Sequence, residues 1–287
     1  MKPAPSSTPA PLAAGRLAAD VSIPSASDAL SVSRFYPRYL DFYELTKPGM
    51  NMLVLATAAA GWFIAAPGPI DWSVFIPAMS GIATTAGAAS ALNQYAERSL
   101  DARMRRTANR PLPSGRVGPR SALLFGIALG VLGVGVLLGT NALTALLGLT
   151  TLLLYVFVYT PLKTVTPACT LIGAVPGAIP PVMGFTAATG VISWEAAAVF
   201  AILFFWQIPH FLAIAVLYRD DYAAGGFKML PVVDPDLAST SRAMVVWSAV
   251  LIPASLLPYV LGRAGVVYAI LACILGAGFL ALAVRCA

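Results

Sequence analysis

The chain has 287 residues, of which 59% are hydrophobic and only 10% are charged. Soluble domains carry about 25% charged residues, so this composition excludes an ordinary soluble globule, and the apolar content excludes a disordered chain. The formal net charge is +6, and the three cysteines give no support to a disulfide scaffold. The class that remains is an integral membrane protein.

The first 45 residues differ in composition from the rest of the chain. They are rich in Ala, Pro and Ser, and they contain no apolar run that could serve as a signal peptide. We predict a flexible cytoplasmic tail over 1–45, with an interfacial segment around Phe35 to Tyr43. The transmembrane domain is then expected over 46–287.

Eight apolar runs follow the tail, and each is close to the length of about 20 residues that a helix needs to cross a bilayer. None alternates with a period of two residues, which argues against a β-barrel. The sequence therefore predicts an all-α, polytopic transmembrane bundle with spans at 47–66, 73–95, 120–139, 142–160, 169–188, 194–217, 242–262 and 265–284.

The basic residues are distributed unequally between the two sides of this predicted bundle. Of the 18 Lys and Arg residues, all except Arg263 fall on the side that holds the N-terminal tail. The positive-inside rule places that side in the cytoplasm, and we expect the inner membrane of a bacterial cell. Because topology explains the positive charge and no stretch combines it with base-stacking aromatic residues, no nucleic-acid partner is expected.

The second span ends in the polar segment NQYAERSLD, residues 93–101. On a continuous helix Asn93, Glu97 and Asp101 recur every four residues and form one ridge. Their carboxylate and amide oxygens suit Mg²⁺, and the arginines that follow, among them Arg106 and Arg110, suit a polyanion such as a diphosphate.

A structural alternative exists for the two acids of this segment. Glu97 and Asp101 could be the solvated end of a helix, paired at four-residue spacing with Arg98 and Arg105. On this interpretation the arginines would reflect only the orientation of the chain in the membrane.

The sixth span carries Trp206, Pro209 and His210, the only histidine, and leads into Asp220 and Asp221. Pro209 is expected to kink the helix. If the helix continues through residue 221, Trp206, His210 and Asp221 lie within one stripe. An ionisable residue inside a span is a functional candidate, although a lone histidine near a kink is more often a structural hydrogen-bond partner.

Two lysines lie on the same side of the predicted bundle. Lys163 closes the fourth span in the segment YTPLK, and Lys228 follows a flexible Gly-Gly pair that would let it swing toward a phosphate. A lysine at the membrane interface whose amine reaches the headgroups explains Lys228 equally well. Together the acidic and basic clusters indicate a lipid-tailed diphosphate whose ionisation is assisted by Mg²⁺ and basic residues, with a dry cavity around the allylic cation.

The segment 93–115, with the pattern NxxxExxxDxxMxRTxxRPLPSG, resembles the first signature of the UbiA-type intramembrane prenyltransferases. The segments YTPLK (159–163), WQIPHF (206–211) and DY to KMLP (221–231) are similar to those of the branch that farnesylates heme. This resemblance implies transfer of farnesyl from farnesyl diphosphate to a vinyl group of heme b, with Mg²⁺ as cofactor and a central cavity that faces the cytoplasm. It also implies a handover of the product to a heme A synthase or to terminal oxidase assembly.

The resemblance implies that Asn93, Glu97, Asp101 and the pair Asp220 and Asp221 hold Mg²⁺ and the diphosphate, and the residue patterns described above give the other candidates their expected roles. Catalysis is expected from Asn93, Glu97, Asp101, Asp220 and Asp221, and metal binding from Glu97, Asp101 and Asp221. Diphosphate binding is expected from Arg106, Arg110, Lys163 and Lys228, and acceptor binding from Trp206 and His210.

Three features depart from the family pattern. Glu97 stands where Asp is more common, and the adjacent Asp220 and Asp221 replace two acids four residues apart. The family normally has nine spans, whereas eight are counted here, so that either a ninth helix is missing from this chain or the division into spans is different.

Two alternative functions stay open. One is a quinone- or chlorophyll-type prenyltransferase, and the other, from a different class, is a secondary transporter, whose ionisable groups would lie near the bilayer centre.

Overall fold

The computed structural model describes residues 38–66 and 68–286. Their regular secondary structure is helical throughout. The helices are α1 (Arg38–Leu45), α2 (Pro48–Ala65), α3 (Trp72–Asp101), α4 (Pro119–Thr140), α5 (Ala142–Leu162), α6 (Cys169–Thr189), α7 (Trp194–Leu217), α8 (Arg219–Gly225), α9 (Leu230–Val233), α10 (Ala238–Val260) and α11 (Val266–Cys286).

Eight helices within the described residues, α2 to α7 together with α10 and α11, are long and apolar enough to cross a membrane. The predicted transmembrane bundle and its eight spans are therefore confirmed. Residues 1–37 of the predicted tail lie outside the described residues, whereas residues 38–45, which were assigned to that tail, form helix α1.

The most buried span is α6, which packs against α2, α5 and α7. Its contact with α2 is close because glycines replace side chains on both helices. A Cβ atom at Gly61 would stand 1.9 Å from the carbonyl oxygen of Pro181, and one at Gly184 would stand 1.8 Å from that of Ala58. Small residues of this kind let two transmembrane backbones approach each other directly.

Helix α3 runs without interruption from Trp72 to Asp101, over 30 residues. Asn93, Glu97 and Asp101 are therefore part of one helix, as the four-residue spacing predicted. The Asp71 side chain accepts a hydrogen bond from the Ser73 backbone at the start of α3, which satisfies a free N–H group.

Helix α7 ends at Leu217, and the chain turns at Tyr218 (φ −111°, ψ 29°) before α8 begins. The prediction that one helical stripe connects His210 with Asp221 is therefore wrong, because the helix does not continue through Tyr218. The shared face of α7 extends from Trp206 only as far as Leu217.

Candidate active site

The polar ridge of α3 lies inside the bundle and not at a solvated helix end. The exposed fractions of Asn93, Glu97 and Asp101 are 1%, 5% and 1%. Arg98 does not pair with them, since its Nη1 donates to the carbonyl oxygen of Tyr95 at 2.7 Å and its guanidinium lies 4.6 Å from the Tyr95 ring centroid. The alternative of a solvated helix end is therefore wrong.

Each side chain of the ridge is paired with a basic residue from another part of the chain. Lys47 Nζ donates to Asn93 Oδ1 at 3.2 Å, Lys163 Nζ lies 2.8 Å from Glu97 Oε1, and Arg110 Nη1 donates to Asp101 Oδ2 at 2.8 Å. Three cations from three separate segments thus surround a buried row of oxygen ligands. The basic side chains of this arrangement can bind an anion, and a metal ion could link the same anion to the carboxylates.

Sequence reasoning missed Lys47, which was counted only toward the orientation of the chain. The residue directly precedes α2 and has a left-handed backbone (φ 50°, ψ 64°), followed by Pro48 at the start of the helix. Burial, together with the charge of Arg110, lowers the pKa of Lys47 to about 7, although Glu97 opposes the shift. A lysine directly before a proline at the start of a span was the available signal.

Lys163 is positioned by an irregular end of α5. This span is α-helical as far as Leu153, π-helical over Leu154–Tyr159, and closed by the turn Thr160–Leu162. The Nδ2 of Asn93 donates to Thr160 Oγ1 at 3.1 Å, so the end of α5 is hydrogen-bonded to the ridge. A π-helical turn in an α-helix frequently marks a functional site.

The ammonium group of Lys163 lies 4.6 Å from the ring centroid of Tyr159, a favourable contact for a cation. Burial lowers the pKa of Lys163, but Tyr159 and Glu97 raise it above its ordinary value overall. The pKa values of Lys47 and Lys163 are therefore shifted in opposite directions.

The second acidic stretch lies at the same end of the bundle as Asp101. Arg105 Nε, from the loop after α3, lies 3.5 Å from Asp221 Oδ1, and the Asp221 side chain is only 13% exposed. Asp220 is exposed. Of the two adjacent acids, Asp221 is therefore the one that faces the loop after α3.

The guanidinium of Arg106 packs against two tyrosine rings next to Asp221. It lies 4.8 Å from the ring centroid of Tyr218 and 5.8 Å from that of Tyr222, at the junction of α7 and α8. The Arg106 side chain is exposed, so it is held by cation–π contacts and is accessible to an anion.

Lys228 contributes to the site through its backbone. Its N–H donates to the carbonyl oxygen of Lys163 at 2.7 Å, and the neighbouring Phe227 is buried, with its ring centroid 5.8 Å from Lys163 Nζ. The side chain of Lys228 is exposed. The loop after α8 is thus tied to the end of α5.

A cavity of about 340 Å³ opens at this end of the bundle, lined by Arg105, Val216, Leu217, Tyr218, Arg219, Asp220, Asp221 and Leu237. Leu217 lies on the same face of α7 as Trp206 and His210. The rings of Trp206 and His210 are stacked, with centroids 4.8 Å apart and an interplanar angle of 17°. The two predicted acceptor residues therefore form a stacked pair on the α7 face that also carries Leu217, which lines the cavity.

The oxygen atoms of the ridge fit a divalent metal of the Mg²⁺ type, which prefers carboxylate and amide ligands. Glu97 Oε1 is buried, forms an ion pair with Lys163 Nζ at 2.8 Å and accepts no further hydrogen bond from the described residues. Within residues 38–66 and 68–286, no three His, Cys, Asp or Glu side chains are grouped closely enough to hold a metal ion. Metal binding by Glu97, Asp101 and Asp221 stays a prediction.

Comparison with known proteins identifies the family. The family model described as the UbiA prenyltransferase family matches residues 54–287. A protoheme IX farnesyltransferase of Solibacter usitatus is 46% identical over 257 residues, which cover 86% of this chain and 88% of the relative. Another of the same name, from Myxococcus xanthus, is 48% identical over 244 residues, covering 84% and 82%.

Solved structures share the fold at low sequence identity. A structure of digeranylgeranylglyceryl phosphate synthase is similar with a TM-score of 0.73 at 17% identity, covering 86% of both chains. A UbiA homologue from Archaeoglobus fulgidus, bound to GPP and Mg²⁺, gives a TM-score of 0.65 at 19% identity, covering 85% of both chains. The chain therefore belongs to the UbiA prenyltransferase family and groups with its protoheme IX farnesyltransferases.

Proposed function

We propose that this protein transfers the farnesyl group of farnesyl diphosphate to a vinyl group of heme b, at the cytoplasmic side of a bacterial inner membrane. The observation that carries the proposal is the buried ridge of Asn93, Glu97 and Asp101, in which every side chain faces a basic group. The sequence identity to proteins named protoheme IX farnesyltransferase supports heme b as the acceptor. The product would then be handed over to a heme A synthase or to terminal oxidase assembly.

In this reaction the bond between the allylic carbon and the diphosphate oxygen breaks, and the farnesyl carbon forms a bond with the vinyl group. Water adds to the resulting cation and gives up a proton, which leaves a hydroxyl group on the side chain. Glu97, Asp101 and Asp221 are not grouped closely enough to hold one ion by themselves, so they would hold Mg²⁺ together with the substrate diphosphate, whose charge the metal would neutralise.

The basic residues of the site would bind the diphosphate directly. Lys47, Lys163 and Arg110 already stand within 3.2 Å of ridge oxygens, so a bound diphosphate would meet positive charge with little rearrangement. Arg106 and Lys228 are exposed at the same end of the bundle and would add contacts to the outer phosphate.

We expect Lys47→Gln to raise the KM for farnesyl diphosphate about tenfold. Because the pKa of Lys47 is about 7 before substrate binds, its ammonium form predominates below that pH and its neutral form above it. The affinity of the wild type for the diphosphate should therefore fall between pH 7 and pH 9. Titration calorimetry with a non-reactive thiolodiphosphate analogue measures this slope.

Lys47→Arg is the control for this prediction, because a guanidinium stays charged at pH 9. This variant should show a flatter pH dependence than the wild type, as should Lys47→Gln. The same slope in all three proteins would remove Lys47 from diphosphate binding.

We expect His210→Ala to raise the KM for heme b about 5- to 10-fold, with the KM for farnesyl diphosphate changed less than twofold. The reason is the loss of one ring from the stacked pair that Trp206 and His210 form. Steady-state kinetics with each substrate varied in turn gives both constants. Trp194→Ala, at the opposite end of α7 and 80% exposed, is the control and should change neither. A selective rise in the KM for farnesyl diphosphate in His210→Ala would reverse the assignment.

The acceptor decides between the proposed function and a quinone-type prenyltransferase. Membranes that contain the protein would be incubated with farnesyl diphosphate, Mg²⁺ and either heme b or a hydroxybenzoate, and the products analysed by mass spectrometry. We expect farnesyl to be added only to heme. Prenylation of the hydroxybenzoate, with heme unchanged, would contradict the proposal.

A further inference from the structure

Helix α1 packs directly beside the ridge of α3. Leu45, the last residue of α1, is completely buried and lies in a cluster with Ala91 of α3 and with Leu112 and Val117 of the loop between α3 and α4. The Nε2 of Gln94, the neighbour of Asn93, donates to the carbonyl oxygen of Leu45 at 2.9 Å. The position of α1 is therefore coupled to the site.

Arg116 links α1 to the loop between α3 and α4. Its Nη1 forms an ion pair with Asp41, which is 5% exposed. Its Nη2 donates to Glu44 Oε2 at 2.9 Å and to the carbonyl oxygen of Asn109 at 2.9 Å. One guanidinium thus contacts two consecutive turns of α1 and the residue that directly precedes Arg110.

Two of these three partners, Glu44 and Asn109, are connected through the backbone to basic residues of the site. The carbonyl oxygen of Glu44 accepts a hydrogen bond from the backbone N–H of Lys47 at 3.0 Å. Asn109 is covalently bonded to Arg110, whose side chain reaches Asp101. The segments that carry Lys47 and Arg110 are therefore held against each other by Arg116.

We propose that Arg116 is a positioning residue, which holds α1 and the loop 109–117 together and so aligns Lys47 and Arg110 for the diphosphate. The inference rests on the proposed function, because it assumes that these two cations bind a prenyl diphosphate. The contacts of Arg116 described above reach α1 and the loop 109–117. The effect of Arg116 on Lys47 and Arg110 is transmitted through the backbone of these two short segments.

The guanidinium group suits this position better than an ammonium would. Its planar fork donates several hydrogen bonds in fixed directions, and here it serves two carboxylates and one carbonyl oxygen at once. A lysine preserves the charge but cannot meet the same three acceptors in that geometry. The order of affinity should therefore be wild type, then Arg116→Lys, then Arg116→Gln.

The test measures affinity for farnesyl thiolodiphosphate, which does not ionise, by titration calorimetry on the purified full-length protein with Mg²⁺. We expect Arg116→Gln to weaken binding roughly 10- to 100-fold, since misplacement of binding groups by about 1 Å has effects of that size. In turnover the KM for farnesyl diphosphate should rise while the KM for heme b stays unchanged. Arg120→Gln, an exposed arginine at the start of α4, is the matched control and should bind like the wild type.

A second route breaks the same link from the side of α1. Asp41→Asn with Glu44→Gln should weaken binding as Arg116→Gln does, and the combination of all three changes should weaken it no further, because one interaction is being removed twice. Thermal unfolding shows whether each variant is folded. If Arg116→Gln does not fold, the affinity of Arg116→Lys for the analogue is measured in its place.

The outcomes separate this inference from the proposed function. Wild-type affinity in both Arg116→Gln and Arg116→Lys, or an equal rise in both KM values, would overturn the positioning role alone. The positioning role would also be overturned if the losses of affinity caused by Arg116→Gln and by Asp41→Asn with Glu44→Gln added up in the combined variant. A wild-type protein that binds the analogue but does not farnesylate heme would contradict the proposed acceptor and leave the positioning role standing. Failure of the wild type to bind the analogue would contradict both the proposed function and the positioning role of Arg116.

Discussion

Replacing Glu97 or Asp101 by alanine is expected to lower kcat/KM for farnesyl transfer by about a thousandfold. Both carboxylates are buried beside a basic group, Lys163 in one case and Arg110 in the other. If these carboxylates hold the metal as proposed, the loss of either one would remove a ligand of the ion that neutralises the leaving diphosphate. Because charge separation occurs in the transition state, the larger part of the loss should fall on kcat.

Removal of one partner from a buried ion pair also destabilises a protein, typically by about 3–5 kcal/mol when the pair is fully buried. Glu97→Gln and Asp101→Asn keep the shape of the side chain and limit this effect, and both should be as inactive as the alanine variants. Thermal unfolding in detergent separates loss of chemistry from loss of the fold.

The matched control is Glu195→Gln. Glu195 forms an ion pair with Arg263 at 2.6 Å, but it lies in the first turn of α7, whereas Asp221 follows the last turn of that helix. Loss of this pair should leave farnesyl transfer unchanged. Wild-type turnover in Glu97→Gln or in Asp101→Asn would remove that residue from the mechanism.

Gly184→Ala and Gly61→Ala are expected to have the largest effect on stability, about 3 kcal/mol or more in each case. The added methyl group would meet a backbone carbonyl oxygen at less than 2 Å, the oxygen of Ala58 in one case and of Pro181 in the other. A backbone atom cannot move aside like the end of a flexible side chain, so α2 and α6 must separate. Since Lys47 directly precedes α2, this separation should also disturb the site.

The measurement is the midpoint of thermal unfolding of the protein in detergent, with the yield of folded protein from membranes as a second readout. Gly135→Ala in α4 is the matched control, because a Cβ at that position would have no neighbour within 4 Å. There the change should be neutral or slightly stabilising, by less than about 1 kcal/mol, as for other exposed helix interiors. Equal midpoints for Gly184→Ala and Gly135→Ala would show that the two helices tolerate separation.

The effects of the two glycine substitutions should not add. Gly61 and Gly184 lie in the same contact between α2 and α6, so separation of the helices for one methyl group makes room for the other. The double variant is expected to unfold at nearly the same midpoint as the less stable single variant.

The sequence alone determined the class of protein, the eight spans and the ridge of α3. Long apolar runs must form helices in a bilayer, because unpaired backbone groups are not tolerated there. The spacing of Asn93, Glu97 and Asp101 follows directly from the period of the helix. These features are local, so the residue pattern was sufficient to predict them.

The tertiary structure decided which residues meet. Asp101 pairs with Arg110, nine residues away, and Arg105 pairs with Asp221. Helical spacing alone would have paired Asp101 with Arg105. The tertiary structure also broke the predicted stripe of α7 at Tyr218, and it brought Lys47 to Asn93 across 46 positions of the chain. The π-helical turn before Lys163 was equally undetected. Each of these depends on loops, helix ends and contacts between distant segments, which helical periodicity does not encode.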